Sequence, residues 1–394
     1  MRFDAQNHRL TDSGKFGTIM LAIGVIGIAA SIAGYFVDAQ QFLASYLTAF
    51  TYWVSLGLGG LFFVMLHHLV NAQWSIVLRR IAENVMYALP LMIVFFLPVA
   101  FGLGSLYKWT DTAYVAADHL LSLKAGFLNT GFFLIRSFAY LVIWAVLAIK
   151  LYRLSLQQDQ GHQPGLTKTW RKISAPGIIV FAITLTFASW DWLMSLDAHW
   201  YSTIFGAYYF AGATMAMMAF TLLTVLLLAR RGILTDVITV EHYHDLAKLL
   251  FAFIVFWAYM GFSQYFLIWY ANIPEETIWY QHRWVGSWKA ISLLIVFGHF
   301  AVPFLLLITR AAKRSALWLI AMCVWMLFMH YIDLYWLVFP NFSHHGAHFS
   351  WMDLATMMAI GGVFVWYFWK RLAEQPLVPV NDPRLAASMK FVNQ

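Results

Sequence analysis

Cysteine is almost missing from this chain: Cys323 is the single thiol in 394 residues. One thiol cannot hold an iron–sulphur cluster or close an intrachain disulfide. Cys323 sits inside an apolar run and reads as a small core hydrophobe. Charge is scarce as well, at 11% Asp, Glu, Lys and Arg against 62% hydrophobic residues, where soluble domains carry about 25% charged. There is no phosphate-binding glycine loop of the Walker type, which argues against a primary pump. No small-residue cleavage site interrupts the first apolar stretch, so it reads as a span and not as a removable signal. Soluble domains are missing too. The longest loops, about 67–85, 152–172 and 230–245 on one side and 107–126 on the other, are connectors.

What the chain has is apolar length. Ten stretches approach or exceed the roughly 20 residues that cross a bilayer: 18–36, 42–66, 86–106, 127–151, 173–196, 203–229, 246–271, 287–309, 315–339 and 350–370. The short alternating pattern of outer-membrane strands does not occur, and in lipid each backbone group of a lone segment must bond within that segment. The expected fold is therefore an all-α polytopic membrane protein, with a membrane domain over 18–371 between tails 1–17 and 372–394. Positive charges set its orientation. Twenty Lys and Arg fall on the side of the N-terminus and three, Lys108, Lys124 and Arg283, on the other, with Arg136 and Lys289 inside spans. Both termini are expected in the cytoplasm, and the net charge of +7 reflects this bias and attraction to anionic lipid without any nucleic-acid partner.

Charges inside spans are costly and mark function or pairing. Arg136, Asp191, Lys289, Asp333 and Asp353 all fall in the half of the membrane away from the termini, with His299 and His330 near the middle. The inner half is poorer, apart from His67, His68, Glu83 and Asn84. Helical spacing places Asn129, Arg136 and Tyr140 on one stripe and Thr184, Asp191 and Ser195 on another. Lys289, Ser292, Val296 and His299 form a third, and Met326, His330 and Asp333 a fourth. Arg136 and Lys289 are candidate electrostatic partners of Asp191 and Asp333. Static struts and a hydrated proton route are both open readings of this set. Two mid-span histidines on neighbouring helices do not make a paired haem site, and His344, His345 and His348 match no strong zinc spacing. Trp53, Trp109, Trp200, Trp279, Trp284, Trp288 and Trp351 fall at expected interfaces, where amphipathic rings anchor spans. Pro90, Pro98 and Pro303 predict kinks.

The most distinctive segment joins the fifth and sixth spans: Asp191-Trp192-Leu193-Met194-Ser195-Leu196-Asp197-Ala198-His199-Trp200-Tyr201-Ser202-Thr203-Ile204-Phe205-Gly206. With ten spans and this length, the chain resembles the NrfD or polysulfide-reductase membrane-subunit group, and within it the ActF-type subunits of alternative complex III. It departs at Ala198, where relatives are expected to carry proline, and at Asp197, where glutamate is common. The resemblance implies an NrfD-like fold of two four-helix bundles, about 42–196 and 203–339, with the first and tenth spans peripheral. It further implies a non-catalytic subunit of a quinol:electron-acceptor (cytochrome c) oxidoreductase in the bacterial cytoplasmic (inner) membrane. The expected partners are a paralogous quinol-binding membrane subunit, an iron–sulphur subunit and a multihaem cytochrome. Haem and iron–sulphur clusters would sit in those partners, with no cofactor bound by this chain beyond a secondary quinone pocket.

Quinol oxidation releases protons, so carboxylates and imidazoles linked by water are the natural chemistry for such a subunit. The proton-route candidates are Asp191, Asp197, His199, His299, His330 and Asp333, with Asp191 foremost. Arg136 can act only electrostatically, because guanidinium does not deprotonate. Two other classes stay open: a secondary ion-coupled transporter, for which Pro90, Pro98 and Pro303 give little sign of repeated broken helices, and a structural anchor for redox subunits.

Overall fold

The computed structural model describes residues 1–161, 165–343 and 346–392. Among them ten helices are long and apolar enough to cross a membrane: Phe16–Val37, Ala39–Leu69, Ile76–Phe101, Thr130–Asp159, Leu166–Leu196, Phe205–Ala229, Val240–Ala271, Trp288–Leu307, Ala316–Asn341 and Trp351–Glu374. The protein is a multi-pass helical membrane protein. Most spans extend beyond the apolar stretch that announced them, because polar residues cap or continue them. Asp38 closes the first span and accepts from Gln41 N at 3.0 Å to open the second. Asn129 opens the fourth by accepting from Phe132 N, and Ser350 with Asp353 forms a capping box on the tenth. One departure from an all-helical chain is an N-terminal hairpin pairing Arg2–Asp4 with Arg9–Asp12.

Proline shapes two spans. The third is broken into Ile76–Met86, Leu89–Phe95 and Leu97–Phe101, with Pro90 and Pro98 each opening a new segment. In the eighth, Pro303 has no N–H to offer the carbonyl of His299. The turn upstream widens into a π-helix over Ile295–Ala301, a form that recurs at functional sites.

The second and sixth spans form the centre, with 83% and 78% of their apolar windows buried. The second packs against the third, fifth, sixth, ninth and tenth; the sixth packs against the second, fifth, seventh and ninth. The first span, 17% buried, lies along the tenth through glycines. A Cβ on Gly27 would sit 2.3 Å from the backbone nitrogen of Ala359, and one on Gly362 would sit 2.3 Å from that of Gly24. Such small-residue contacts let helices associate in lipid, where apolar burial provides no drive. The first span is thus peripheral, whereas the tenth is half-enclosed between it and the second.

Both termini lie on one face, since Leu377 N donates to His8 O at 2.8 Å. Within the segment read as a tail over 372–394, residues 377–388 are docked there. Leu377 and Val378 are fully buried, and His242 Nε2 lies 2.9 Å from the carbonyl of Ser388. Beneath it is a charge network that the sequence reading missed. Arg79 and Arg80, counted as loop cations, lie inside the first helical segment of the third span and are buried. Arg79 meets Glu83 at 3.1 Å and Asp382 at 2.7 Å; Arg80 meets Glu83 at 3.2 Å and Asp159 at 2.6 Å. Arg384 adds a third cation, on Asp382 at 2.9 Å. Three cations face three carboxylates, as buried charge requires.

Burial pushes the Asp382 carboxyl up, but the hydrogen bond from Arg384 and the charge of Arg79 outweigh it, leaving it well below the usual carboxylate range. A depressed folded-state value stabilises docking above the unfolded value of about 3.9 and is lost as the pH falls from there towards the folded one. The docked segment should keep its amide protection at neutral pH and lose it in acid below about pH 4. Asp382→Ala takes from Arg384 its carboxylate and from Arg79 one of two, at a cost of up to about 3–5 kcal/mol. Hydrogen exchange over 376–389 should then rise at neutral pH, with the spans unchanged.

Candidate functional site

The fourth and fifth spans turn their polar stripes towards each other. Arg136 Nη2 and Nε donate to the two carboxylate oxygens of Asp191 at 2.7 and 2.9 Å, and Tyr140 adds a third donor at 3.0 Å. The remaining guanidinium nitrogen, Nη1, donates to Phe127 O at 3.0 Å. The rings of Phe127 and Phe132 cover the cation at 3.8 and 4.1 Å. Around this fork, Trp144 Nε1 donates to Thr184 at 2.8 Å and Trp192 Nε1 to Ser137 at 3.0 Å. Ser195 donates to Asp191 O at 2.5 Å. A bidentate pair in which every guanidinium nitrogen and both carboxylate oxygens are bonded has the geometry of a strut.

The other half of the molecule is different. Among the described residues no cation pairs with Asp333, which lies buried on the ninth span. Its carboxylate accepts from Tyr208 of the sixth span and from Trp257 Nε1 of the seventh at 3.2 Å. Lys289 does not serve as its partner: the side chain is exposed and lies 5.4 Å from the Trp284 ring. The stripe Lys289, Ser292, Val296, His299 runs from an α-turn into the π-turn, which shifts its α-helical spacing, and the boundary of burial runs down it. Ser292 and His299 are inside; Lys289 and Val296 are outside.

The two mid-span histidines come in beside Asp333. His330 Nε2 lies 2.9 Å from Ser55 Oγ, and that hydroxyl donates its proton to Tyr52 O at 2.6 Å. Ser55 therefore accepts, His330 carries its proton on Nε2, and Nδ1 is a buried lone pair. Gly212 of the sixth span faces that edge: a Cβ there would stand 3.3 Å from His330 Nδ1 and 3.5 Å from Trp257 Cδ1. His299, on the π-turn, is fully buried and meets Trp257 edge to face at 3.8 Å. Among the described residues neither of its ring nitrogens nor His330 Nδ1 has a hydrogen-bond partner. Trp257 is thus shared by His299, Asp333 and the Gly212 niche beside His330. Donor and acceptor sites on three titratable groups gather within one buried stretch of the bundle.

Asp197 and His199 lie apart from both groups, on the face opposite the termini. The His199 ring pairs with Asp118 Oδ2 at 2.6 Å and not with Asp197. Asp118 is held below its usual value by the backbone N–H of Leu121 and by His199. Lys124 donates to Ala198 O at 2.6 Å and so fixes the loop from below. Arg283, counted as an outer-loop cation, is buried against the Trp279 ring at 3.4 Å. It donates to the carbonyls of Trp336 and Leu337, a cation at the carboxyl end of a helix. Trp109, Trp200, Trp279 and Trp288 are core residues, while Trp284 and Trp351 stay exposed. Asp353 ties the tenth span to the second by accepting from Ser45 at 2.6 Å. Cys323 is buried and free.

Among the described residues no group of three His, Cys, Asp or Glu is placed to hold a metal ion. His344 and His345 lie outside the described residues. Tyr208, Trp257 and Ser55 carried no sequence signal, because each gains its role from a residue on another span. No protein-family model matches the chain, and no curated protein matches it.

Proposed function

We propose that the chain is an integral subunit of a quinol:electron-acceptor oxidoreductase, in which it provides a proton-conducting half-channel beside redox-active partners. This follows the resemblance of the Asp191 to Gly206 segment to the ActF-type subunits. The observation that carries the proton role is the buried set of Asp333, His299 and His330 around Trp257, with ring nitrogens that have no protein partner. Imidazole can take a proton on one nitrogen and release it from the other, and a carboxylate without a cation can hold one. The Arg136–Asp191 fork supports a structural role in the other half, so the route is assigned to the second group and not to Asp191.

In this reading the protein sits in a bacterial cytoplasmic membrane with both termini in the cytoplasm, and the iron–sulphur and multihaem partners cover the opposite face. A secondary quinone pocket would border the same polar group. Purification of the tagged chain from its native membrane tests the assignment. Haem and iron–sulphur subunits are expected to come with it, and the chain stripped of them should not oxidise quinol. Recovery as a lone, active transporter overturns it.

A further inference from the structure

On the face that carries the termini, a cavity of about 260 Å³ opens between the second, sixth and seventh spans and the loop after the second. Leu66, Met218, Leu249 and Phe253 make most of its wall, and Trp74 borders it from the loop. The wall also holds one ion pair, Lys248 on Asp245 at 2.5 Å. The two charges answer each other, so the cavity presents no net charge and suits a neutral occupant.

The remaining polar side chain of the wall is His67. Its Nδ1 lies 2.7 Å from Phe63 O, four residues back on the same helix. A carbonyl only accepts, so Nδ1 carries the proton, and in the neutral ring Nε2 is a lone pair. That bond holds Nδ1 against its own span and turns Nε2 away from it. Two rings fix the plane: Phe63 at 3.8 Å and Trp74, nearly edge-on at 5.8 Å. Among the described residues Nε2 has no hydrogen-bond partner. The cavity therefore asks for a neutral, largely apolar molecule with one hydroxyl to give. Its volume falls just under the roughly 300 Å³ of small-molecule clefts, which is room for one ring. An aromatic hydroxyl meets each demand. Its proton is more acidic than an alcohol's, and its ring packs on aromatic neighbours such as Trp74 and Phe253. An alkyl tail would leave along Val70, a residue of the same wall that is exposed.

We propose that this cavity binds a lipid-soluble phenol, whose hydroxyl donates to His67 Nε2 while its ring lies among Trp74, Met218 and Phe253. The site belongs to the face of the termini. It involves neither Asp333 nor the two mid-span histidines, so it stands apart from the proton role.

Equilibrium binding to the detergent-purified full chain, corrected for partition into empty micelles, tests it with three ligands of equal tail: para-octylphenol, para-octylanisole and para-octylcyclohexanol. The phenol should bind about tenfold more tightly than the anisole, which keeps the ring and loses the donor, as expected for one hydrogen bond. The cyclohexanol keeps a hydroxyl on a puckered, saturated ring and should fall between them. His67→Phe should level phenol and anisole. Ala72→Phe, at a partly buried loop residue of the wall, should fill the cavity and weaken both. It leaves His67 in place, which keeps the test valid if His67→Phe misfolds. Equal binding of phenol and anisole by the wild type removes the hydroxyl contact and with it the proposal. So does a phenol preference that survives Ala72→Phe or His67→Phe. A cyclohexanol bound as tightly as the phenol overturns the aromatic assignment.

Discussion

Asp191→Ala is expected to lower stability by about 3–5 kcal/mol, the usual cost of stranding one member of a buried ion pair. Arg136 would keep its bond to Phe127 O and its two covering rings, but two guanidinium nitrogens and the Tyr140 hydroxyl would lose their acceptor. Asp191→Asn should be milder in direction but not neutral, since an amide turns one acceptor of the fork into a donor facing a donor. The informative comparison is the double variant Arg136→Met with Asp191→Leu. Removing both charges together often restores or exceeds the original stability. Thermal unfolding of the detergent-solubilised protein should therefore fall sharply for each single variant and recover in the double. Complexes that still assemble with Asp191→Asn should keep normal proton stoichiometry. Full stability with lost coupling would return Asp191 to the proton route.

The number of spans was legible because apolar length is set by bilayer thickness and needs no knowledge of neighbours. The stripes on the fourth and fifth spans were legible for a similar reason: spacing at seven residues survives any rotation of the helix, so Asn129, Arg136 and Tyr140 could be grouped before their partner was known. Pairing between spans was legible only in part. Arg136 meets its candidate partner Asp191, but such meetings depend on how each helix is rotated and shifted, and Lys289, on the exposed side of its span, does not reach Asp333. His199 found Asp118, 81 residues away, because the loop between the third and fourth spans folds over the junction. The Arg79 and Arg80 network was hidden by its own composition. Two adjacent arginines near an apolar stretch look like a charged loop, and only the docking of Asp382 and the end of the fourth span makes them interior. Tryptophan misled in the same way, since a ring at the end of a span suits a lipid interface and a helix-end core layer equally well.

On the proposed proton role, Asp333→Asn is expected to leave the proposed complex assembled while removing its proton coupling. The substitution is the milder one. The amide oxygen still accepts from Trp257 Nε1 and the new N–H₂ can donate to the Tyr208 hydroxyl oxygen, so only the Tyr208 proton loses its acceptor. Asp333→Leu is the contrasting case. It leaves the Tyr208 hydroxyl and the Trp257 N–H without an acceptor, at about 1–3 kcal/mol each, and should reduce folded yield. His330→Phe removes the lone pair at the Gly212 niche and the donor to Ser55, but Ser55 keeps its own bond to Tyr52 O, so folding should hold. With the assembled complex in proteoliposomes, quinol oxidation measured beside proton release should show the difference. Wild type and Arg136→Met/Asp191→Leu are expected to give the same protons per quinol, and Asp333→Asn and His330→Phe fewer at similar electron flux. If both of these variants release the full number of protons, the buried histidines and carboxylate hold helices together and do not carry the proton.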